Sequence, residues 1–516
     1  MKISLEESSM KPTEPAETAG LLRAADEAPP GKPTRTFLNK TVWYTVSYGL
    51  RALVSIVTVS VTTRYLKVHT YGVYSQVVAV GALLQQLVQF GMPRQLGIWL
   101  LEHPQGPDRA AAFWTALYCQ WAVGAVLLSL VVPVVLTQYA WLDPVVAKTL
   151  LLFVTIGEVA RALIISIQVQ FDWDEDVRAR LCQDILTLLV PAVLSCGLLA
   201  FAGAGIVGYT AGSNFGTALT AVALLAYVTR RYPPAWSLLR FQFALRSGGI
   251  FFLSHVCGAI IGSADRLLLA ARGTGAVASG LYQMALGTAS VMGGISGAIA
   301  QMVTRHVFQE TLTDISSLAR PVTLSLLFAP LFGLLASATT PVILRVLTPP
   351  SYHAAYAMVP PLVAAMGLAV CFNLGIAYVL QRKRFWGCLA YELSAAAANV
   401  VSNWLLIPLL DAWGCAASLL ITYVWVSGVI WYREGLMDLP GAWWVAVRVA
   451  GLWAACAAVV VCLTRNFPPA HCMAALCWGG TAFLVLAAIA LRESGSLPAL
   501  RESAAMLRQR MREALG

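Results

Sequence analysis

From Trp43 to Leu491 one pattern repeats: an apolar run of about twenty residues, a short polar break, then another run. Within a bilayer no water is available to backbone N–H and C=O groups. A run of this length therefore crosses as a helix that satisfies its own hydrogen bonds. Six runs come first, at Trp43–Leu66, Tyr71–Met92, Ala111–Leu136, Thr149–Val169, Leu181–Phe201 and Ile206–Val228. Six more follow, at Gly248–Ala271, Val277–Val303, Pro321–Leu347, Ala354–Leu380, Phe385–Leu406 and Trp413–Tyr432. Trp443–Leu463 and Met473–Leu491 complete fourteen spans. The 516 residues are 58% hydrophobic and 12% charged. Soluble domains are roughly half apolar and a quarter charged, so the balance excludes an ordinary soluble enzyme, a disulfide scaffold and a disordered chain. The fold class is an all-α polytopic membrane protein.

Charge placement orients the spans. Residues 1–40 are polar and lack an apolar run with a cleavage site, so they read as a disordered cytoplasmic tail rather than a signal peptide. With the N-terminus inside, 25 of the 35 Lys and Arg fall on the tails and alternate loops of that side, and the outward loops carry six. This asymmetry predicts an even span number with both termini cytoplasmic. A net charge of +10 then suits anionic lipid, not nucleic acid. The expected organisation is an N-terminal six-helix lobe (41–228), a basic linker (229–247) carrying Arg230, Arg231, Arg240 and Arg246, and a second lobe (248–433). The two final spans (441–491) and an amphipathic cytoplasmic tail (492–516) follow. A second amphipathic segment carries Phe308, Leu312, Ile315 and Ala319 on one face. Most of the eleven cysteines lie in apolar runs and read as small packing residues, with no zinc-type spacing.

The lobes look like copies. Arg64-Tyr-Leu-Lys-Val-His-Thr-Tyr-Gly72-Val-Tyr74 joins the first two spans, and Arg272-Gly-Thr-Gly-Ala-Val-Ala-Ser-Gly280-Leu-Tyr282 joins the seventh and eighth. Each ends in Gly-x-Tyr. The Gly205 and Gly414 connections match in the same order. Parallel repeats of this kind are a transporter architecture, with the substrate between the halves. Further runs add a likeness: Gly262-Ser-Ala-Asp265-Arg266, Tyr282-Gln-Met-Ala285, Leu347-Thr-Pro-Pro-Ser-Tyr352, Gln381-Arg-Lys-Arg384, Asn399-Val-Val-Ser-Asn403 and Phe90-Gly91-Met-Pro-Arg94. Over roughly residues 40–435 the chain resembles Wzx-type polysaccharide flippases and, more widely, the MOP superfamily that includes MATE and MurJ. The resemblance implies a bilobed exporter of undecaprenyl-diphosphate-linked oligosaccharide, the precursor of a surface lipopolysaccharide or exopolysaccharide. It implies no cofactor. Membrane lipids, a polysaccharide polymerase and assembly proteins are the expected partners.

Charges within spans are costly, so each calls for a partner or a wet cavity. Glu158 and Arg161 share a face of the fourth span, either as a self-neutralising pair or facing a central cavity. Arginine's planar fork matches phosphate oxygens, which makes Arg51, Arg161 and Arg266 the candidate contacts for an anionic head group. The resemblance implies the same role for Arg51, in the first span. Asp265-Arg266 reads as a gate, a coupling site or an interlobe salt bridge. Glu158, Asp265 and Glu392 are the candidates for proton or Na⁺ coupling. Asp184 and Arg448 are shallower and read as capping or snorkelling groups. Asn373, Tyr282, Asn399 and Asn403 either contact sugar hydroxyls or join helices. No catalytic or metal-ligating set is expected. Asp172-Trp-Asp174-Glu-Asp176 has the spacing of a nucleotide-sugar metal site, yet it lies in a short loop and reads as solvated acid.

No G-x-x-x-x-G-K-[ST] run is present, so the sequence carries no built-in NTP hydrolysis. The competing readings are a MATE-like drug/cation antiporter, a MurJ-like lipid II flippase and a membrane scaffold that transports nothing. Basic residues within the spans suit an anionic head group better than a cationic drug.

Overall fold

The structure is a computed structural model that describes residues 50–51, 53–102, 107–138, 144–173, 177–273, 275–290, 340, 342, 344–435 and 451. Outside the described residues lie both tails, most of the ninth span, the thirteenth apart from Gly451, the fourteenth, the 308–319 segment and Arg448. All regular structure among the described residues is helical. The first group comprises α1 (Leu53–Tyr65), α2 (Val68–Gln89), α3 (Met92–Glu102), α4 (Pro107–Gln138), α5 (Pro144–Trp173), α6 (Val177–Ala200) and α7 (Gly205–Arg231). The second comprises α8 (Leu238–Arg272), α9 (276–290), a 3-10 segment at Pro350–Met358, α10 (Val359–Gln381), α11 (Phe385–Leu410) and α12 (Ala412–Arg433). Prolines open α4, α5 and the 3-10 segment, where a missing N–H costs nothing. Among the described residues, eight helices are long and apolar enough to cross a membrane.

The group formed by α2–α7 packs within itself, as does the group formed by α8 and α10–α12; α2, α3 and α4 meet α8 across a seam. The second expected span, α2, is absent from the eight apolar helices because it is rich in glutamine. Ser75, Gln76, Gln85 and Gln89 are all buried. A helix covered by protein on several sides need not be apolar all round, so α2 trades hydropathy for polar contacts along the seam. The expected span Tyr71–Met92 also ends early. Phe90 and Gly91 both take positive φ (44° and 70°), which stops α2 and redirects the chain into α3.

The linker between the groups is shorter than the sequence suggests. α7 runs to Arg231, and α8 begins at Leu238 with the Ser237 hydroxyl capping the Arg240 N–H at 3.4 Å. The six residues between are pinned to α4. Trp114 Nε1 donates to the Tyr232 carbonyl at 2.9 Å, and the Ser237 N–H donates to Thr115 Oγ1 at 3.1 Å. We call this side of the bundle the linker end and the opposite side the far end.

Glycine sets the helix spacing at the far end. A Cβ on Gly72 would fall inside the Ala276 carbonyl oxygen, and one on Gly280 would clash with the Val68 carbonyl. The two Gly-x-Tyr motifs of the repeat thus pack on each other. Of the strip Gly208, Gly212 and Gly216 on α7, the last two receive the backbone of α6 at Leu194 and Pro191, whereas Gly208 faces Ala204 of its own turn. Gly72→Ala should therefore cost about 1–3 kcal/mol through overpacking. Gly258→Ala, where an added Cβ meets nothing, should be neutral or slightly stabilising. Thermal unfolding in detergent checks this contrast, and equal melting of the two variants would contradict it.

Candidate functional site

Among the described residues, four of the charge clusters hold the charged residues that the sequence singled out. Near the middle of α5, the Arg161 Nη1 atom donates to Glu158 Oε1 at 2.7 Å, one helical turn apart. The Glu158 side chain is 4% exposed and that of Arg161 40%, so the acid is buried while its guanidinium remains accessible. Gly81 of α2 lets Glu158 approach, since a Cβ there would lie 3.1 Å from Oε1. Tyr74 of α2 lies within electrostatic reach of the pair and packs edge-on against Tyr209 of α7, with ring centroids 5.1 Å apart. Glu158 Oε2 is buried without a hydrogen-bond partner.

At the linker end, Arg51 donates from Nη2 to Asp184 Oδ1 of α6. Asp184 also meets Arg180 Nη1 at 3.0 Å, and Arg180 Nε lies 3.0 Å from Asp172 at the end of α5. This makes a chain of alternating charge from Arg51, two residues before α1, to α5. Arg51 is its most open member, with 38% of its side chain exposed, whereas Arg180 and Asp184 are buried. Asp184 thus has a definite partner, which its shallow position in the sequence did not suggest. Asp172 is part of the same chain, and residues 174–176 lie outside the described residues.

Toward the far end of α8, Asp265 is buried. Its Oδ1 accepts the Arg266 N–H at 2.7 Å, and its Oδ2 accepts the Tyr282 hydroxyl from α9. The Arg266 guanidinium donates to the Gly262 carbonyl and, at 3.2 Å, to Gln283 Oε1. The same Gln283 oxygen accepts the Ser75 hydroxyl of α2 at 3.4 Å, and Gln76 Nε2 lies 3.5 Å from Ser279 Oγ. Arg266 therefore reaches the seam only through Gln283, beside the Gly72 and Gly280 crossing.

The fourth cluster closes the linker end. Arg94 of α3 donates from Nη1 and Nη2 to Glu392 Oε1 of α11, each at 3.1 Å. Ser254 of α8 accepts from Arg94 Nη1 and donates to Glu392 Oε2. His255, the next residue on α8, has its Nδ1 3.1 Å from Gln86 Oε1 of α2. Phe90 packs on Phe252, and Phe251 on Phe385. The sequence marked Glu392 but not Arg94 or Ser254. The available signal was a deep carboxylate with no cation one turn away, since its cation lies 298 residues off in sequence.

The asparagines separate into two roles. Asn399 Nδ2 donates to Thr422 Oγ1 of α12 at 3.3 Å, and Asn403 Nδ2 donates to the Asn399 carbonyl at 2.9 Å. Both are buried within the α11–α12 contact, as helix-joining residues are. Asn373 is exposed on α10. Tyr282 is fully buried and committed to Asp265.

This arrangement offers partly exposed guanidinium groups beside buried carboxylates, Arg51 and Arg161 among them, and a seam bonded at both ends. Removing the cation of a buried pair leaves the carboxylate uncompensated. Arg161→Ala should cost about 1–3 kcal/mol, at the low side because Arg161 is partly exposed. Adding Glu158→Gln should recover most of that loss. Melting temperatures of the single and double variants check this, and a double variant weaker than Arg161→Ala would contradict the pairing.

The family model described as polysaccharide biosynthesis protein matches residues 37–308. No curated protein sequence matches. Among solved structures, the lipid II flippase MurJ in an inward closed conformation has a TM-score of 0.67 at 11% identity, over 88% of this chain and 99% of that one. The MATE transporter VcmN of Vibrio cholerae in its bent form has a TM-score of 0.53 at 15% identity, over 81% and 98%. The MATE multidrug transporter DinF-BH has a TM-score of 0.55 at 15% identity, over 78% and 96%. At these identities the likeness establishes the fold alone. With more than half of its length matched by the family model, the chain belongs to the polysaccharide biosynthesis protein family, on the multi-pass helical fold shared by MurJ and the MATE transporters.

Proposed function

We propose that the chain is a flippase, not an enzyme, which moves undecaprenyl-diphosphate-linked oligosaccharide from the inner to the outer leaflet of a bacterial inner membrane by alternating access. The observation that carries this reading is the family match, which places the chain in polysaccharide biosynthesis on a transporter fold. Two repeat-related lobes rock against each other along the α2–α8 seam, and the linker end faces the cytoplasm. Arg51 and Arg161 receive the diphosphate, since a guanidinium stays charged in poorly hydrated surroundings and matches phosphate oxygens. Arg266 serves the far-end closure. Sugar hydroxyls meet exposed polar side chains such as Asn373, while Tyr282, Asn399 and Asn403 hold the second lobe together.

No cofactor or nucleotide enters this reading. About two negative charges moving outward gain roughly 4–5 kcal/mol per 100 mV of inside-negative potential. Proton or Na⁺ exchange at Glu158, Asp265 or Glu392 adds to that drive. A lipid substrate is favoured over a cationic drug because the partly exposed charges at Arg51 and Arg161, each beside a buried carboxylate, are guanidinium groups. Assembly partners such as a polymerase act on the product at the outer leaflet.

In cells that depend on this protein, Arg51→Ala or Arg161→Ala at normal expression should deplete surface glycan and accumulate lipid-linked precursor at least about tenfold, the loss of a charge-assisted bond worth about 1.5–3 kcal/mol. Glycan blotting and precursor extraction measure both quantities. Unchanged glycan in both variants would overturn the assignment.

A further inference from the structure

The closure at the linker end is built from groups that also suit an oxyanion ligand. Two donor residues on different helices, Arg94 on α3 and Ser254 on α8, converge on one carboxylate supplied by a third, α11. Arg94 directs two nitrogens at Glu392 Oε1, both at 3.1 Å, and Ser254 serves Oε2. Arg94 keeps 26% of its side chain exposed while Glu392 is 5% exposed, so an incoming group can reach the cation without first passing the acid. Beside Ser254, His255 is bonded to Gln86 and leaves Nε2 buried without a partner. A structural contact between helices needs none of this charge, because apolar packing of the same volume is often equally stable.

We propose that Arg94 and Ser254 form an oxyanion subsite for a phosphate or diphosphate ester, and that Glu392 occupies it as a tethered stand-in when no ligand is there. This deepens the flippase reading and rests on it. A diphosphate offers more acceptor oxygens and more charge than a carboxylate, so it draws Arg94 away from Glu392 and releases the α3–α11 contact. The linker end then parts only when an anionic head group has arrived. An empty carrier stays shut there, which limits futile opening. The phosphate oxygens are what the subsite reads, whether they belong to a lipid or to a free ion.

The test uses the purified full chain in detergent with farnesyl diphosphate, inorganic diphosphate and farnesol, and binding is read by calorimetry. Glu392→Gln removes the internal competitor and should bind farnesyl diphosphate about tenfold tighter than the parent protein, as expected if the competent state is a minor fraction of about a tenth. Adding Arg94→Gln should abolish that gain, and farnesol should not distinguish the variants. An equal gain with inorganic diphosphate assigns recognition to the head group alone, and a gain confined to farnesyl diphosphate assigns it to a lipid ester. A parent protein that binds farnesyl diphosphate while Glu392→Gln binds it no tighter overturns the stand-in and leaves the flippase reading intact. A gain that persists without Arg94 also overturns it. If no form binds either diphosphate, both readings fall. Should Glu392→Gln not fold, Glu392→Asp withdraws the carboxylate by one methylene and should give a smaller gain in the same direction.

Discussion

An ionised group inside a membrane needs a polar partner or a wet cavity, and much of this molecule follows from that requirement. Glu158, Asp184 and Glu392 are all buried, and each meets at least one guanidinium within about 3.1 Å. The pairs differ in how far the cation is covered. Arg180 is enclosed with Asp184, whereas Arg161, Arg51 and Arg94 are partly open. Arg180 also ties α6 to the end of α5 through Asp172. A pair with an open cation can also exchange its carboxylate for an external anion at little cost in exposed charge.

The same requirement explains the polar character of α2. A lipid-facing helix could not carry four buried glutamine and serine side chains without losing their bonds. At the seam, Ser75, Gln76 and Gln86 all find partners on α8 or α9. These bonds are neutral and few, and two glycines set the closest approach, so they can be made and broken repeatedly. The joint between the groups is different in kind. Trp114 and Thr115 of α4 bond the linker at Tyr232 and Ser237, so the linker is held against the first group.

Much of this was legible in the sequence, and the gaps have a common cause. Helix positions followed from apolar runs, because a bilayer imposes one length and one backbone solution. The Glu158–Arg161 bond was visible since its members are three residues apart on one helix, and local geometry alone decides it. The two Gly-x-Tyr motifs were seen as a repeat, although their mutual packing was not, since it depends on where two distant helices cross. Arg94 with Glu392, and Arg51 with Asp184, were missed for the same reason: each joins helices separated by more than a hundred residues. The shape of α2 was misread because Phe90 adopts a left-handed conformation that its residue type does not announce. Asn399 and Asn403 could be read either way from the sequence; both are buried, with Asn399 bonded to Thr422 and Asn403 to the Asn399 carbonyl.

The central claim is that paired guanidinium groups recognise the acidic head group of a lipid, so substrate charge should decide what crosses. The direct measurement is leaflet exchange in liposomes containing the purified protein, with a fluorescent oligosaccharide carried on undecaprenyl diphosphate or on an uncharged undecaprenyl ether. The account predicts protein-dependent movement of the diphosphate lipid and only background movement of the ether. Equal transport of both lipids would contradict it.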